Sequence, residues 1–144
     1  MLLTGSAHID AERAFSRAAR GRRRAALAQR LRGRPASRLP VHDPGCARAT
    51  PARGVREIPL DRISGTLEPS KAEQFDRDFR PAPVARTRWQ RVWLAEHRGA
   101  ALPPISVVPV GDEYVLRDGH HRVSVARARG AVAIDAQLDD TLVI

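Results

Sequence analysis

Arg117-Asp118-Gly119-His120-His121-Arg122 is the densest run of chemically capable side chains in this sequence. It stands where a β-branched strand gives way to a helical pattern through Val123–Arg129, so it reads as strand, tight turn and helix start. At such a start the first backbone N–H groups lack intrahelical partners, and the helix dipole favours an anion. Gly119 would let the backbone come close to a phosphate. His120 and His121 add donors, and Arg122 adds a permanent fork suited to phosphate oxygens. Gly119, His120, His121 and Arg122 are therefore candidate phosphate ligands. The competing reading is a hairpin ending in a helix whose His and Arg side chains are merely solvated. Adjacent His side chains point apart, so Asp118, His120 and His121 are not read as a metal site. Asp76 and Asp78 are candidates for Mg²⁺ or ribose contact, against the simpler reading of solvated loop acids.

The elements that must position this run are an α+β set. Glu57-Ile58-Pro59-Leu60 reads as a short strand, with Pro59 placing it at an edge. Residues 64–83 carry Gly65, Pro69, Pro81 and Pro83 and read as irregular, with a short helix over Lys71–Asp78. Val84–Arg98 is a helix with Trp89 and Trp93 at i and i+4, closed by Gly99; the two rings read as packing rather than base stacking. Ile105–Val110 is an apolar, β-branched strand, and Gly111-Asp112 turns it into Glu113–Arg117. Ile134–Leu138 is a last strand. The expected fold is a small mixed sheet with flanking helices, preceded by a basic N-terminal helical arm.

That arm carries the charge. The 144 residues have a net charge of +9. Residues 1–56 hold 13 Arg against Asp10, Glu12 and Asp43, a net of +10, and residues 57–144 sum to −1. Asp10 reads as the N-cap of a helix reaching about Arg32, rich in Ala, Arg and Leu. Arg13, Arg17, Arg20 and Arg24 form one stripe, and Phe15, Ala19, Leu27 and Leu31 a weakly apolar face. Gly21 is expected to weaken the middle, and Gly33-Arg34-Pro35 to end the helix. The Pro- and Gly-containing stretch 33–56 reads as a linker. The division expected is 1–56, arm and linker, and 57–144, the nucleotide-binding domain.

The order of these segments resembles the N-terminal domain of the ParB/sulfiredoxin superfamily. The resemblance rests on Pro104-Ile105-Ser106-Val107, matching a PI-x-V strand, and on Gly119-His120-His121-Arg122, matching a strand ending in G-x-x-R at a helix start. It covers roughly residues 55–139 and leaves the basic segment unmatched. It implies the superfamily's fold and nucleotide-phosphate contacts at Gly119–Arg122. Departures narrow the branch. Partition proteins continue into a helix-turn-helix reader and a dimerisation tail, whereas this chain ends at Ile144. Sulfiredoxins carry a catalytic Cys after the motif glycine, where this chain has His120; Cys46 lies in the unmatched segment. The superfamily's free-serine kinases remain an analogue for phosphoryl transfer; that resemblance implies Asp118, at the place of a loop acid, as the candidate catalytic acid, with Glu68 as a candidate base that nothing local marks. No acid cluster supports a nuclease.

Composition excludes other classes. A single Cys46 leaves no disulfide framework within the chain and no cysteine-based zinc site. No apolar run approaches a bilayer span, and the opening Met1–Gly5 lacks the pattern of a signal peptide, so a cytoplasmic protein with no membrane partner is expected. Two functions follow. One is a binding module that holds ATP, ADP or CTP, with the stripe Arg13, Arg17, Arg20 and Arg24 engaging DNA, RNA or another polyanion. The other is a small phosphotransferase using one of these nucleotides with Mg²⁺.

Overall fold

The computed structural model describes residues 6–43 and 54–138. Cys46, Pro44, Gly45 and Pro51 lie outside the described residues, as do residues 139–144. Helix α1 spans Ala7–Leu31. Ser6, not Asp10, caps it: the Ser6 side chain accepts the Ile9 N–H at 3.4 Å, while Asp10 is buried in the first turn. Gly21 does not divide the helix. Arg80 crosses there, and a Cβ on Gly21 would stand 3.3 Å from its Cδ. Gly33, at φ +71°, ends the helix in the left-handed conformation, and the Arg34 N–H returns to the Gln29 carbonyl at 2.8 Å.

Five strands form one mixed sheet: β1 Gly54–Pro59, β2 Ile63–Thr66, β3 Ile105–Val110, β4 Glu113–Asp118 and β5 Ala133–Leu138. Their spatial order is β1-β5-β3-β4-β2. β1 runs antiparallel to β5 and β3 antiparallel to β4, whereas β2–β4 and β3–β5 are parallel. The fold is therefore α+β, and β1 with its Pro59 is at an edge. β2 departs from the sequence expectation of an irregular stretch: it is only four residues long and contains Gly65, so no alternation reveals it. Helix α2 is the single turn Pro69–Ala72, shorter and earlier than Lys71–Asp78 suggests. Helices α3, Arg86–His97, and α4, His120–Ala128, complete the set.

The core joins one sheet face to all three long helices. Ile58, Ile105, Val107, Leu116, Ala136 and Leu138 meet Val123, Val125 and Ala126 of α4 and Trp89 and Trp93 of α3. Phe15 of α1 is fully buried, edge-on to Trp89 with centroids 5.5 Å apart. Ala11, Ala14 and Ala19 sit in the same cluster, so α1 is packed into the core and is not a detached arm. Small Ala side chains let the helix approach α3 closely, which offsets its weak apolar stripe. Leu27 and Leu31, placed on that stripe by spacing, are exposed because α1 extends past its support.

Part of the expected linker is also structural. Leu39 is buried, and Val41 bridges to Thr66 of β2. The His42 N–H bonds the Thr66 carbonyl at 2.8 Å, and the Thr66 N–H bonds the Pro40 carbonyl at 2.9 Å. This segment passes so near β2 that a Cβ on Gly65 would lie 2.7 Å from the Pro40 carbonyl oxygen.

Candidate functional site

The site forms where β2 and β4, parallel neighbours, end at the start of α4. Thr66, the last residue of β2, pairs with Leu116; beyond it Glu68 caps α2, and Asp118 ends β4. Gly119 caps α4 at φ +107°, a conformation that side-chain-bearing residues rarely adopt. A Cβ there would lie 2.4 Å from Ile105 Cγ2. Packing and backbone geometry thus demand glycine even without a ligand. After Gly119 the helix begins, and its first internal bond is Val123 N–H to the Gly119 carbonyl at 3.0 Å. The N–H groups of His120, His121 and Arg122 precede it and have no intrahelical acceptor.

The two histidines are buried, contrary to the reading of solvated side chains. A 2.6 Å hydrogen bond joins His120 Nε2 to Thr66 Oγ1, which also accepts the Glu68 N–H at 2.9 Å. Phe75 stacks on His120 at 6.3 Å between centroids and meets His121 edge-on at 5.2 Å. Burial is the main cause that lowers both imidazoles from 6.5 to about 4. Lys71 and Arg88 push in the same direction on both rings; at His120 the neighbouring His121 adds to this and Asp118 opposes it. At neutral pH both rings are uncharged, so each offers one ring N–H donor and no positive charge.

Arg122 is not the exposed cation that its position suggests. Its side chain is 15% exposed and bonded to the Pro103 and Pro104 carbonyls, the latter at 3.0 Å, and to Asp118 at 3.2 Å. The guanidinium fastens the segment entering β3 to the start of α4. Asp118 itself is mostly exposed and paired with Arg122, while the Glu68 side chain is exposed on the rim.

Lys71 and Arg88, which sequence reasoning missed, act on both imidazoles and form no ion pair among the described residues. Lys71 carried one signal: it is the lone lysine among 25 basic residues. Thr66 and Phe75 carried none, since β2 itself was illegible. Asp76 serves its own turn, not this site. It is buried, and its Oδ1 accepts the N–H groups of Asp78 at 2.9 Å and Arg80 at 2.8 Å around Phe79 at φ +60°. Asp78 pairs with Arg80 at 3.1 Å and Arg127 at 3.8 Å. No group of three or more His, Cys, Asp or Glu suited to a metal gathers among the described residues. Arg13, Arg17, Arg20 and Arg24 are all exposed along α1, well separated from the α4 start in sequence and element.

No protein-family model matches the chain. No curated protein matches it either. Among solved structures, sulfiredoxin from Arabidopsis thaliana is similar at 18% identity, covering 60% of this chain and 84% of that chain with a TM-score of 0.42. No helix among the described residues is long and apolar enough to cross a membrane.

Proposed function

We propose that this chain is a nucleotide-binding module of the ParB/sulfiredoxin superfamily. In this reading the α4 start receives the phosphates of ATP, ADP or CTP. The observation that carries it is the start of α4, where the N–H groups of His120, His121 and Arg122 have no intrahelical acceptor and the charges of Lys71 and Arg88 act on both buried imidazoles. Neutral His120, locked to Thr66, fixes the backbone that presents those N–H groups. Mg²⁺ would arrive on the nucleotide phosphates, since the residues here offer it only Glu68 and Asp118. Titration calorimetry with ATP, ADP and CTP, each with and without Mg²⁺, tests the reading. Lys71→Ala and Arg88→Ala should each weaken affinity by roughly tenfold, the scale of one charge-assisted hydrogen bond. Arg98→Ala, an exposed residue at the end of α3, should leave it unchanged. Absence of binding by all three nucleotides would overturn the reading.

The stripe Arg13, Arg17, Arg20 and Arg24 is proposed to engage DNA or RNA through phosphates. Because α1 is part of the core, the test uses the full chain. Affinity should fall steeply with salt and show little sequence preference, and the log–log salt slope should drop by about 0.9 for each stripe Arg changed to Gln that contacted duplex DNA. A second reading, phosphotransfer, is favoured by the parallel pairing of β2 and β4, since Glu68 follows the end of β2 and Asp118 ends β4. Nucleotide turnover abolished by Asp118→Asn or Glu68→Gln would establish it over the module.

A further inference from the structure

Lys71 is the lone lysine among 25 basic residues, so its ε-amine is the one side-chain primary amine in the sequence. The segment that carries it is fastened to the start of α4 on both sides of Lys71. Before it, Thr66 Oγ1 bonds His120 Nε2 at 2.6 Å and accepts the Glu68 N–H at 2.9 Å. After it, Phe75 stacks on His120 and meets His121 edge-on, with centroids 5.2 Å apart. Between these anchors the Lys71 N–H bonds the Glu68 carbonyl at 3.0 Å, and its side chain is partly exposed.

Two side chains here lack partners. The Lys71 ammonium forms no ion pair or hydrogen bond among the described residues. His121 is 5% exposed, and its ring nitrogens have no hydrogen-bond partner among the described residues either. A buried polar group left unpaired costs about 1–3 kcal/mol. An anionic ligand at the N–H groups of His120, His121 and Arg122 would supply the missing partner. Arg88, exposed on α3, adds a second cation whose charge reaches both imidazoles. A phosphate seated there lies within the field of Lys71.

We infer that Lys71 is an acylation site for acyl phosphates, which the α4 start holds by the phosphate and presents to the ε-amine. The inference rests on the reading of the α4 start as a phosphate site. In the step, the free-base ε-amine attacks the acyl carbonyl carbon and a C–N bond forms. The C–O bond to phosphate breaks, inorganic phosphate leaves with its electron pair, and the amine proton passes to solvent. The product amide carries no charge, so acylation removes one cation from the nucleotide site and turns nucleotide binding down.

The test treats the full chain with acetyl phosphate and reads acetylation of Lys71 against that of the chain's α-amine by peptide mass spectrometry. Phenyl acetate, an acyl donor without phosphate, sets the reference ratio of the two amines. Acetyl phosphate should raise that ratio by about tenfold, the scale of one charge-assisted hydrogen bond. Added pyrophosphate and Arg88→Ala should each return it toward the reference, whereas Arg98→Ala should not. The acetylated chain should bind nucleotide about tenfold more weakly than the unmodified chain. Equal ratios with the two donors would overturn the inference and leave nucleotide binding by the parent standing. So would acetylation of Lys71 that leaves nucleotide affinity unchanged. If the parent binds no nucleotide yet acetyl phosphate selects Lys71, the nucleotide reading fails and the acylation site stands.

Discussion

Two buried, uncharged imidazoles make the fold sensitive to acid. Unfolded, His120 and His121 take up protons near pH 6.5; folded, they resist until about pH 4. Their contribution to stability is complete above 6.5 and is lost as the pH falls toward 4, because the unfolded chain binds more protons in that window. A shift of this size corresponds to at most about 3 kcal/mol per ring. Urea unfolding at steps between pH 7 and pH 4 should show this loss, and His121→Phe should remove roughly half of it. A flat profile in the parent would refute the burial argument. Gly119→Ala should cost about 2–4 kcal/mol, combining the left-handed backbone with the contact against Ile105. Arg122→Ala should cost about 1.5–3 kcal/mol in the same measurement, because the Pro103 and Pro104 carbonyls and Asp118 lose a charged partner. Arg122→Lys should recover only part, since an ammonium cannot reproduce the planar fork.

At the scale of elements, α1 and the 39–42 segment both act as braces. Phe15 places an aromatic ring against Trp89, and Arg86 lies over Phe15 at 4.8 Å. Trp89 in turn donates to Ser124 Oγ at 2.8 Å, so the α1 contact passes through α3 to α4. Phe15→Ala should therefore destabilise by about 3–5 kcal/mol, the scale of emptying a buried aromatic site, with a changed tryptophan fluorescence spectrum as the local readout. Unaltered stability would mean that α1 is not part of the folding unit. The brace on β2 depends on Gly65, because any side chain there meets the Pro40 carbonyl and His42. β2 carries Thr66, so this brace also holds His120 and the α4 start in position.

Across the whole molecule, α4 is shared by two surfaces. Its start faces Lys71 and the ends of β2 and β4, and its last turns face a cleft beside α1. The exposed Arg stripe of α1 adds a third, strongly basic surface carried by a helix whose other side is core. Removing residues 1–33 should therefore uncover Trp89 and Trp93 and abolish cooperative thermal unfolding, rather than simply reduce nucleic-acid affinity. Near-ultraviolet circular dichroism across a melt reads this directly. A sharp melt in the truncated chain would show that residues 34–144 fold without α1.

Local chemistry determined a good deal by itself. Ala-rich and β-branched runs, Gly33, Gly99 and the Gly111 turn located α1, α3, β3, β4, α4 and β5, because propensity and turn geometry act over a few residues. The strand–glycine–helix start at Asp118–Arg122 was legible for the same reason. What pairs with what was not. β2 became a strand only because β4 and the 40–42 segment supply its hydrogen-bond partners on either side. In the sequence His120 and His121 read either as phosphate donors or as solvated side chains; their burial was not legible, because Phe75 and Thr66 arrive from residues far along the chain. Arg122 looks like a free phosphate fork and is a clamp, since Pro103 and Pro104 turn their carbonyls toward it. Burial and charge pairing depend on which surfaces meet, and only the tertiary structure decides that.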